Sequence, residues 1–343
     1  MRKLLNTLYV TSQGSYLRIE GETVVVEREK EKALQLPLHT IQGLVCFGNV
    51  LCSPFLLGGC AERGISISFL SENGRFLANV KGAQSGNVLL RRQQYRYADD
   101  DYISCSISKN IISAKIANCR VVLSRATRDH SEKIDSFSVK RGISSLSRIL
   151  NSTTPADYTD EVRGYEGLAS AEYFSVFDHL IIDQKEDFKF TKRNRRPPLD
   201  EVNALLSFVY TLLAHDVRSA LEAVGLDPAV GFLHRDRPGR PGLALDLMEE
   251  FRSVIADRLV LSLINRRQVN KKGFTKATSG AVVMDDETRK TVLSEYQKRK
   301  QEEIFHPYIE ETVKIGLLYF IQANLLARYI RGDIDGYPPF FWR

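Results

Sequence analysis

Four short stretches of this chain put acids, an imidazole and guanidinium groups where they could work on a charged substrate. The first, RGYEGLASAEYF, sets Glu166 in an apparent helix between Gly164 and Gly167. Each glycine costs a helix interior about 1 kcal/mol relative to alanine, and that cost is most simply offset if something must approach the backbone closely. Taken alone, Glu166 also reads as a solvated carboxylate near a helix start, where the dipole favours it. The second stretch, GLDPAVGFLH, ends in His234. A single histidine is more often a hydrogen-bonded structural residue, although it is also the commonest metal-binding imidazole. The third is LALDLMEEFR. Asp246 lies three residues before Glu249 and four before Glu250, so on a helix either glutamate can share its face. An isolated acidic pair of this kind also fits a charged outer face. The fourth stretch is basic. Lys189, Lys192, Arg193, Arg195 and Arg196 fall within eight residues and lead into Pro197-Pro198, while HRDRPGRPG adds Arg235, Arg237 and Arg240.

The combination says more than any one motif. Two carboxylate oxygens, a third acid and an imidazole form a mixed O/N set that suits Mn²⁺ or Mg²⁺ at a phosphate better than structural zinc. Phosphodiester chemistry needs a cation to stabilise the developing charge and side chains to hold the strand. A candidate metal site flanked by two arginine-rich loops supplies both.

Those groups must be positioned by the surrounding elements. Up to about residue 80, LYVTS, YLRIE and TVVVERE read as strands, with a hairpin turn at Asn73-Gly74. Ser53 as N-cap and Pro54 at the first helical position predict one short helix over FLLGGCAERG. The expectation is a small, mostly antiparallel sheet domain. After Gly86 the apolar spacing turns helical. From Val202 to Val224 it follows the three-four pattern and stops at Gly225, and a last helix carrying Val313, Leu317, Phe320, Ile321 and Leu325 ends before Gly332. The reading is α+β: an N-terminal β domain over 1–85, then a larger all-α catalytic, metal- and DNA-binding domain over 86–343, with the boundary between residues 80 and 100. No DNA groove is evident in the β part, so its surfaces are expected to serve dimerisation. The aromatic tail YPPFFWR reads as a capped core segment or as a contact for a partner.

Composition narrows the class. The chain has 343 residues, 43% hydrophobic and 26% charged, with a formal charge of +6, which suits a polyanionic partner. The basic groups cluster, including a further set at Arg266, Arg267, Lys271 and Lys272. The longest apolar stretch, Ile315 to Leu326, is interrupted by Gln322 and Asn324 and falls short of the roughly 20 residues a bilayer needs. With no signal peptide read in the opening residues, the expected location is cytoplasmic, with no membrane association. Five cysteines without a CxxC pair fit buried free thiols in a reducing compartment better than a disulfide framework.

In this order and at these spacings, RGYEGLASAEYF, RNRRPPLDEVNALLSFVYTLL, GLDPAVGFLH and LALDLMEEFR resemble the universal CRISPR adaptation integrases, the "Cas-one" family, in style closest to type I systems of the I-C kind. The similarity runs from the N-terminal strands to the C-terminal helix. It implies a β-sandwich-like N-terminal domain that dimerises and an α-helical catalytic domain. It implies a divalent metal held by Glu166, His234 and Glu249, with Asp246 completing the catalytic set; spacing leaves Glu249 and Glu250 tied, and the resemblance selects Glu249. Ser253 departs from a proline common at that position, which puts only the local helix geometry in question. The implied reaction is attack of a spacer-strand 3′-hydroxyl on repeat DNA, a direct transesterification, with water in place of the hydroxyl giving nuclease activity. Implied partners are double-stranded DNA (spacer precursor and CRISPR repeat), a second copy of the chain, and a small adaptation companion bridging two dimers.

Two other readings remain. A non-catalytic DNA-binding scaffold would leave the acids structural. His234 and Arg237 also make an H-x-x-R element found in tyrosine recombinases, and 14 tyrosines could supply a covalent nucleophile without a metal.

Overall fold

The structure is a computed structural model that describes residues 7–72, 76–80, 82 and 88–342. Eight strands come first: β1 (Thr7–Val10), β2 (Ser15–Glu20), β3 (Thr23–Arg28), β4 (Glu31–Pro37), β5 (Gly43–Phe47), β6 (Val50–Cys52), β7 (Ser66–Leu70) and β8 (Phe76–Val80), with helix α1 (Pro54–Glu62) between β6 and β7. Helices follow: α2 (Val88–Asp99), α3 (Asp101–Asp129), α4 (Ser136–Thr153), α5 (Thr159–Ser175), α6 (Glu201–Val224), α7 (Gly242–Met248), α8 (Arg258–Asn265), α9 (Asp286–Gln301) and α10 (Ile315–Arg331). The region after residue 86 is mainly helical but not all-α as expected: four short strands, β9 (Phe274–Lys276), β10 (Val282–Met284), β11 (Glu303–His306) and β12 (Glu311–Lys314), interrupt the helices and form two small two-stranded sheets. The chain divides into two compact units, Met1–Gly86 with Met284–Glu302, and Asn87–Val283 with Glu303–Arg343.

Local chemistry explains the first unit's turns. β2 and β3 pair antiparallel with Glu20 opposite Thr23, which leaves a two-residue turn that Gly21 enters at φ 56. The next turn does the same with Glu29 and Lys30, both at positive φ, although neither is a glycine or asparagine. The Ser53 hydroxyl accepts from the Leu56 amide at 3.2 Å and Pro54 opens α1, as expected. Two four-stranded sheets form, in the orders β1-β5-β7-β8 and β4-β3-β2-β6. Apolar residues from both, including Leu17, Val24, Leu44 and Ile67, share one core with Leu38, Leu56 and Cys60.

The expectation of a mostly antiparallel sheet fails. Within these two sheets β1–β5, β5–β7 and β2–β6 pair parallel, while β2–β3, β3–β4 and β7–β8 pair antiparallel. Parallel neighbours need long crossovers, and α1 supplies the one between β5 and β7. The Asn73-Gly74 turn lies outside the described residues, although β7 and β8, which flank it, do pair antiparallel.

In the second unit, α6 starts under Asp200, whose carboxylate accepts from the Asn203 amide at 2.7 Å, and ends at Gly225 with φ 91. Helix α10 ends at Gly332 with φ 81. Both stops follow from glycine's access to the left-handed conformation. Helix α3 packs on α4 and α5, and α6 packs on α10. Both α3 and α6 also contact α7 and the π-helical turn Arg252–Asp257. Ser253 lies in that turn, and π-turns of this kind occur frequently at functional sites. The segment bearing Asp246 and Glu249 is therefore seated in core, not presented on a flexible loop.

Candidate active site

Asp246 is fully buried and its carboxylate is saturated. One oxygen accepts the Phe232 and Leu233 amides at 2.7 and 3.0 Å; the other accepts the His234 amide at 3.0 Å and meets His234 Nδ1 at 2.6 Å. The aspartate thus folds the 232–234 backbone around itself and fixes the imidazole ring. With Nδ1 engaged by a carboxylate, Nε2 is the nitrogen left to act. Glycine is required here. A Cβ on Gly231 would lie 2.7 Å from the Asp246 carboxylate, and one on Gly242 would lie 2.7 Å from the Ala229 carbonyl. Gly164 and Gly167 behave differently. A Cβ on either meets nothing within 4 Å, so among the described residues no group accounts for them by close approach.

Glu249 and Glu250 part company at the end of α7. Glu250 is fully buried and turned to the C-terminal tail, where it accepts from Tyr337 Oη at 2.5 Å, the Phe340 amide at 2.8 Å and Gln322 Nε2 at 3.1 Å. Burial pushes its carboxyl up to about 8, only partly offset by these donors. The tail residues Tyr337, Phe340 and Trp342 are themselves buried, so the capped-core reading of the tail describes their place in this chain. Glu249 turns the other way. Its Oε1 accepts from Arg252 at 2.5 Å, and its Oε2 lies 2.8 Å from the Lys115 ammonium without a directed hydrogen bond. Burial alone would raise its pKa, but Arg252 and Lys115 more than offset that and hold it at about 2, with a smaller contribution from nearby His234.

Lys115, from α3, is the residue that sequence reasoning missed. Its ammonium pairs with both Glu166 and Glu249 and lies 2.9 Å from Ser170 Oγ, and Ser170 also donates to Glu166 at 2.9 Å. The sign of its function was present in the sequence. Lys115 and Asn118 interrupt a stripe of Ile111, Ile112, Ile116 and Cys119 that is otherwise apolar and buried. Arg252, stacked 4.3 Å over the Tyr210 ring, was likewise overlooked.

The site residues therefore come together in part. Glu166 and Glu249 face one shared cation, and His234, held by Asp246, stands beside Glu249. Among the described residues no three His, Cys, Asp or Glu side chains form a ready ligand cluster. The donor set nevertheless fits a divalent ion. Two carboxylates compete for a single ammonium, and the buried Glu249 Oε2 makes no directed hydrogen bond.

The basic residues sort by environment. Lys192, Arg193 and Arg195 line a cavity of about 480 Å³ together with Lys115, Tyr210 and Arg252. Arg193 departs from the expectation of a free phosphate ligand. It donates to Asn203 at 2.6 Å and to Ser207 at 3.1 Å, and it stacks 5.2 Å from Tyr210. Lys189 is exposed and pairs with Glu186 at 3.3 Å. Arg196 and Arg237 are exposed, and Arg235 is bound by Asp160 at 3.0 Å. Arg240 is half-buried, and burial followed by Arg237, Arg163 and Arg195 lowers its pKa, so the two basic loops approach one another. In the further basic set, Arg267 pairs with Asp183 and Lys271 with Asp187. The five cysteines are all free thiols. No helix among the described residues is long and apolar enough to cross a membrane.

The family model described as CRISPR associated protein Cas1 matches residues 8–298. A CRISPR-associated endonuclease Cas1 of Chlorobaculum tepidum is 55% identical over all of both chains. A CAS1 protein structure from Thermotoga maritima superposes with a TM-score of 0.81 at 26% identity, over 96% of this chain and 97% of that one. A casposase bound to integration product shares the fold, with a TM-score of 0.82 at 22% identity over 97% and 93% of the two chains. This chain belongs to the Cas1 family of CRISPR-associated proteins.

Proposed function

We propose that the protein is a divalent-metal-dependent DNA endonuclease and integrase of CRISPR adaptation, joining the 3′-hydroxyl ends of a spacer to repeat DNA by transesterification. One observation carries this reading: Glu166 and Glu249 converge on a single cation position beside an imidazole oriented by Asp246. Glu166, Glu249 and His234 Nε2 would hold Mn²⁺ or Mg²⁺. When bound, such an ion polarises a phosphodiester and eases deprotonation of a hydroxyl or water. Asp246 sets the ring orientation and holds the 232–234 backbone. Arg252 keeps Glu249 ionised and in place. Lys192, Arg195, Arg237 and Arg240 supply charge for the strand.

The test is a joining reaction with purified protein, Mn²⁺ and a branched DNA mimicking a half-integrated product. The strand should be rejoined and the flap released. Chelation with EDTA or Glu166→Ala should abolish this. Hydrolysis that never passes to joining or rejoining, with or without the companion, would leave a plain nuclease. The tyrosine-recombinase alternative finds little support. The tyrosines beside the cavity, Tyr173 and Tyr210, are buried, and burial raises both phenols, which suits neither for nucleophilic attack.

The same reading extends to the assembly. We take residues 1–85 as a sandwich-like dimerisation domain, supported by the exposed Leu51, Phe55, Phe76 and Leu77, and 86–343 as the catalytic domain. Double-stranded spacer precursor and repeat DNA, a second copy of the chain and a small bridging companion are its partners in a cytoplasmic, I-C-like system.

A further inference from the structure

An ammonium carries three donors and no acceptor; Lys115 donates to Glu166 Oε1 and Ser170 Oγ and makes an ion pair with Glu249 Oε2 at 2.8 Å. Its side chain is only 7% exposed, and Glu249 only 3%. Two carboxylates and two cations, Lys115 and Arg252, make a buried group of zero net charge. A divalent ion added to that group would leave an excess of two positive charges in a poorly screened setting. We propose that Lys115 is a resident counter-ion that occupies the space between Glu166 and Glu249 in the metal-free protein, so that metal binding proceeds by displacing its ammonium. The inference rests on the metal-dependent reading above. The flexible lysine stem has somewhere to go, because Lys115 and Ser170 border the 480 Å³ cavity, which also opens to Thr191 and Lys192.

This predicts an effect opposite in sign to that of structural damage. Removing a supporting residue weakens a metal site, whereas removing a competitor strengthens it. Lys115→Met keeps the length and loses the charge. Mn²⁺ binding, followed by loss of the free-ion electron paramagnetic resonance signal, should tighten by about tenfold, equivalent to about 1.4 kcal/mol. Equal or weaker Mn²⁺ binding by a folded Lys115→Met protein would overturn the displacement. A second arm uses no metal. Without Lys115 the two carboxylates have only Arg252 to balance them, so Lys115→Met should melt several degrees lower. Adding Glu166→Gln should restore the melting temperature, because one carboxylate, Glu249, then faces one cation, Arg252, with no unbalanced charge beside it. A loss that Glu166→Gln does not repair, or no loss at all, would show that Lys115 is not the counter-ion. If the wild-type protein itself takes up no Mn²⁺, the metal reading and the displacement fail together, and the melting arm still decides whether Lys115 neutralises the pair.

Discussion

At the scale of single residues, the proposed metal-dependent reaction assigns His234 to the chemistry and Asp246 to building the place for it. His234 contributes a ring that is 22% exposed, and Asp246 contributes a carboxylate buried to 0% and bound by three backbone amides. His234→Ala should therefore abolish metal-dependent cleavage while circular dichroism and melting stay close to wild type. Asp246→Ala should lose activity and also unfold early, because the buried Phe232 and Leu233 amides lose their acceptor at about 1–3 kcal/mol each if neither is re-satisfied, and the His234 amide loses its partner too. Similar melting for the two variants would mean that Asp246 does not organise the loop. The adjacent acids make a second contrast. Glu249, held at about 2, is ionised throughout the neutral range. Its folded-state value lies below the unfolded one, so its contribution is present above about pH 4.5 and is lost as pH falls towards 2. Glu250, raised to about 8, runs the other way. The folded state holds a proton that the unfolded state has released, so stability declines as pH rises from about 4.5 to 8. Denaturant titrations across pH should show Glu249→Gln flattening the acid limb and Glu250→Gln flattening the neutral one.

At the scale of elements, the C-terminal tail acts as a clasp behind α7. Asn118 donates to the carbonyls of Glu250 and Phe340 at 2.7 and 2.9 Å and accepts the Trp342 amide at 2.8 Å, while Tyr337 and Gln322 hold the Glu250 carboxylate. Tyr337→Phe removes one donor from a fully buried acceptor and should cost about 1–3 kcal/mol. Hydrogen exchange should rise in 246–257 before it rises in α4. Uniform loosening would show that the tail is ordinary core. Little of this clasp was legible in the sequence. An aromatic tail announces burial, but nothing local says that its partner is an acid some ninety positions upstream, as the separations of Tyr337 and Phe340 from Glu250 show. Legible features were those with short-range causes: the Ser53-Pro54 helix start, the Gly225 and Gly332 stops, and the three-four spacing of α6. The Glu29-Lys30 turn gave no signal because its residues are not those that usually take positive φ. The parallel pairings were missed because strand alternation carries no information about direction. Lys115 was missed for a related reason. A lysine inside an apolar stripe marks a buried charge, but its partners lie on α5 and beyond α7.

At the scale of the whole molecule, the charge of +6 matters through where it is left unneutralised. Arg18, Arg63, Arg128, Arg267 and Arg331 are all paired with acids. Arg195, Arg237 and Arg240 have no carboxylate partner among the described residues, yet they lie close enough for Arg237 and Arg195 to lower the Arg240 pKa, after burial itself. Clustered cations without counter-ions raise one another's energy, and a phosphate backbone relieves that energy by releasing its condensed cations. If these side chains each meet a phosphate, Arg195→Gln with Arg240→Gln should weaken DNA binding for all sequences alike. The slope of log affinity against log salt should become shallower by roughly 2, close to 0.9 for each phosphate no longer neutralised. Arg193→Gln serves as the internal comparison. Its guanidinium is committed to Asn203, Ser207 and Tyr210, so it should change stability more than salt slope. Titrations of a labelled duplex between low and moderate salt give both quantities from one data set. A double variant with an unchanged slope would remove these arginines from the DNA path, and a change confined to one sequence would make them base readers instead. Because the cluster borders the cavity through Arg195, which shares that lining with Lys115, the same double variant should also slow strand joining at subsaturating DNA and approach the wild-type rate once DNA is saturating. That recovery is the signature of weakened strand binding with the Glu166–Glu249 chemistry left whole.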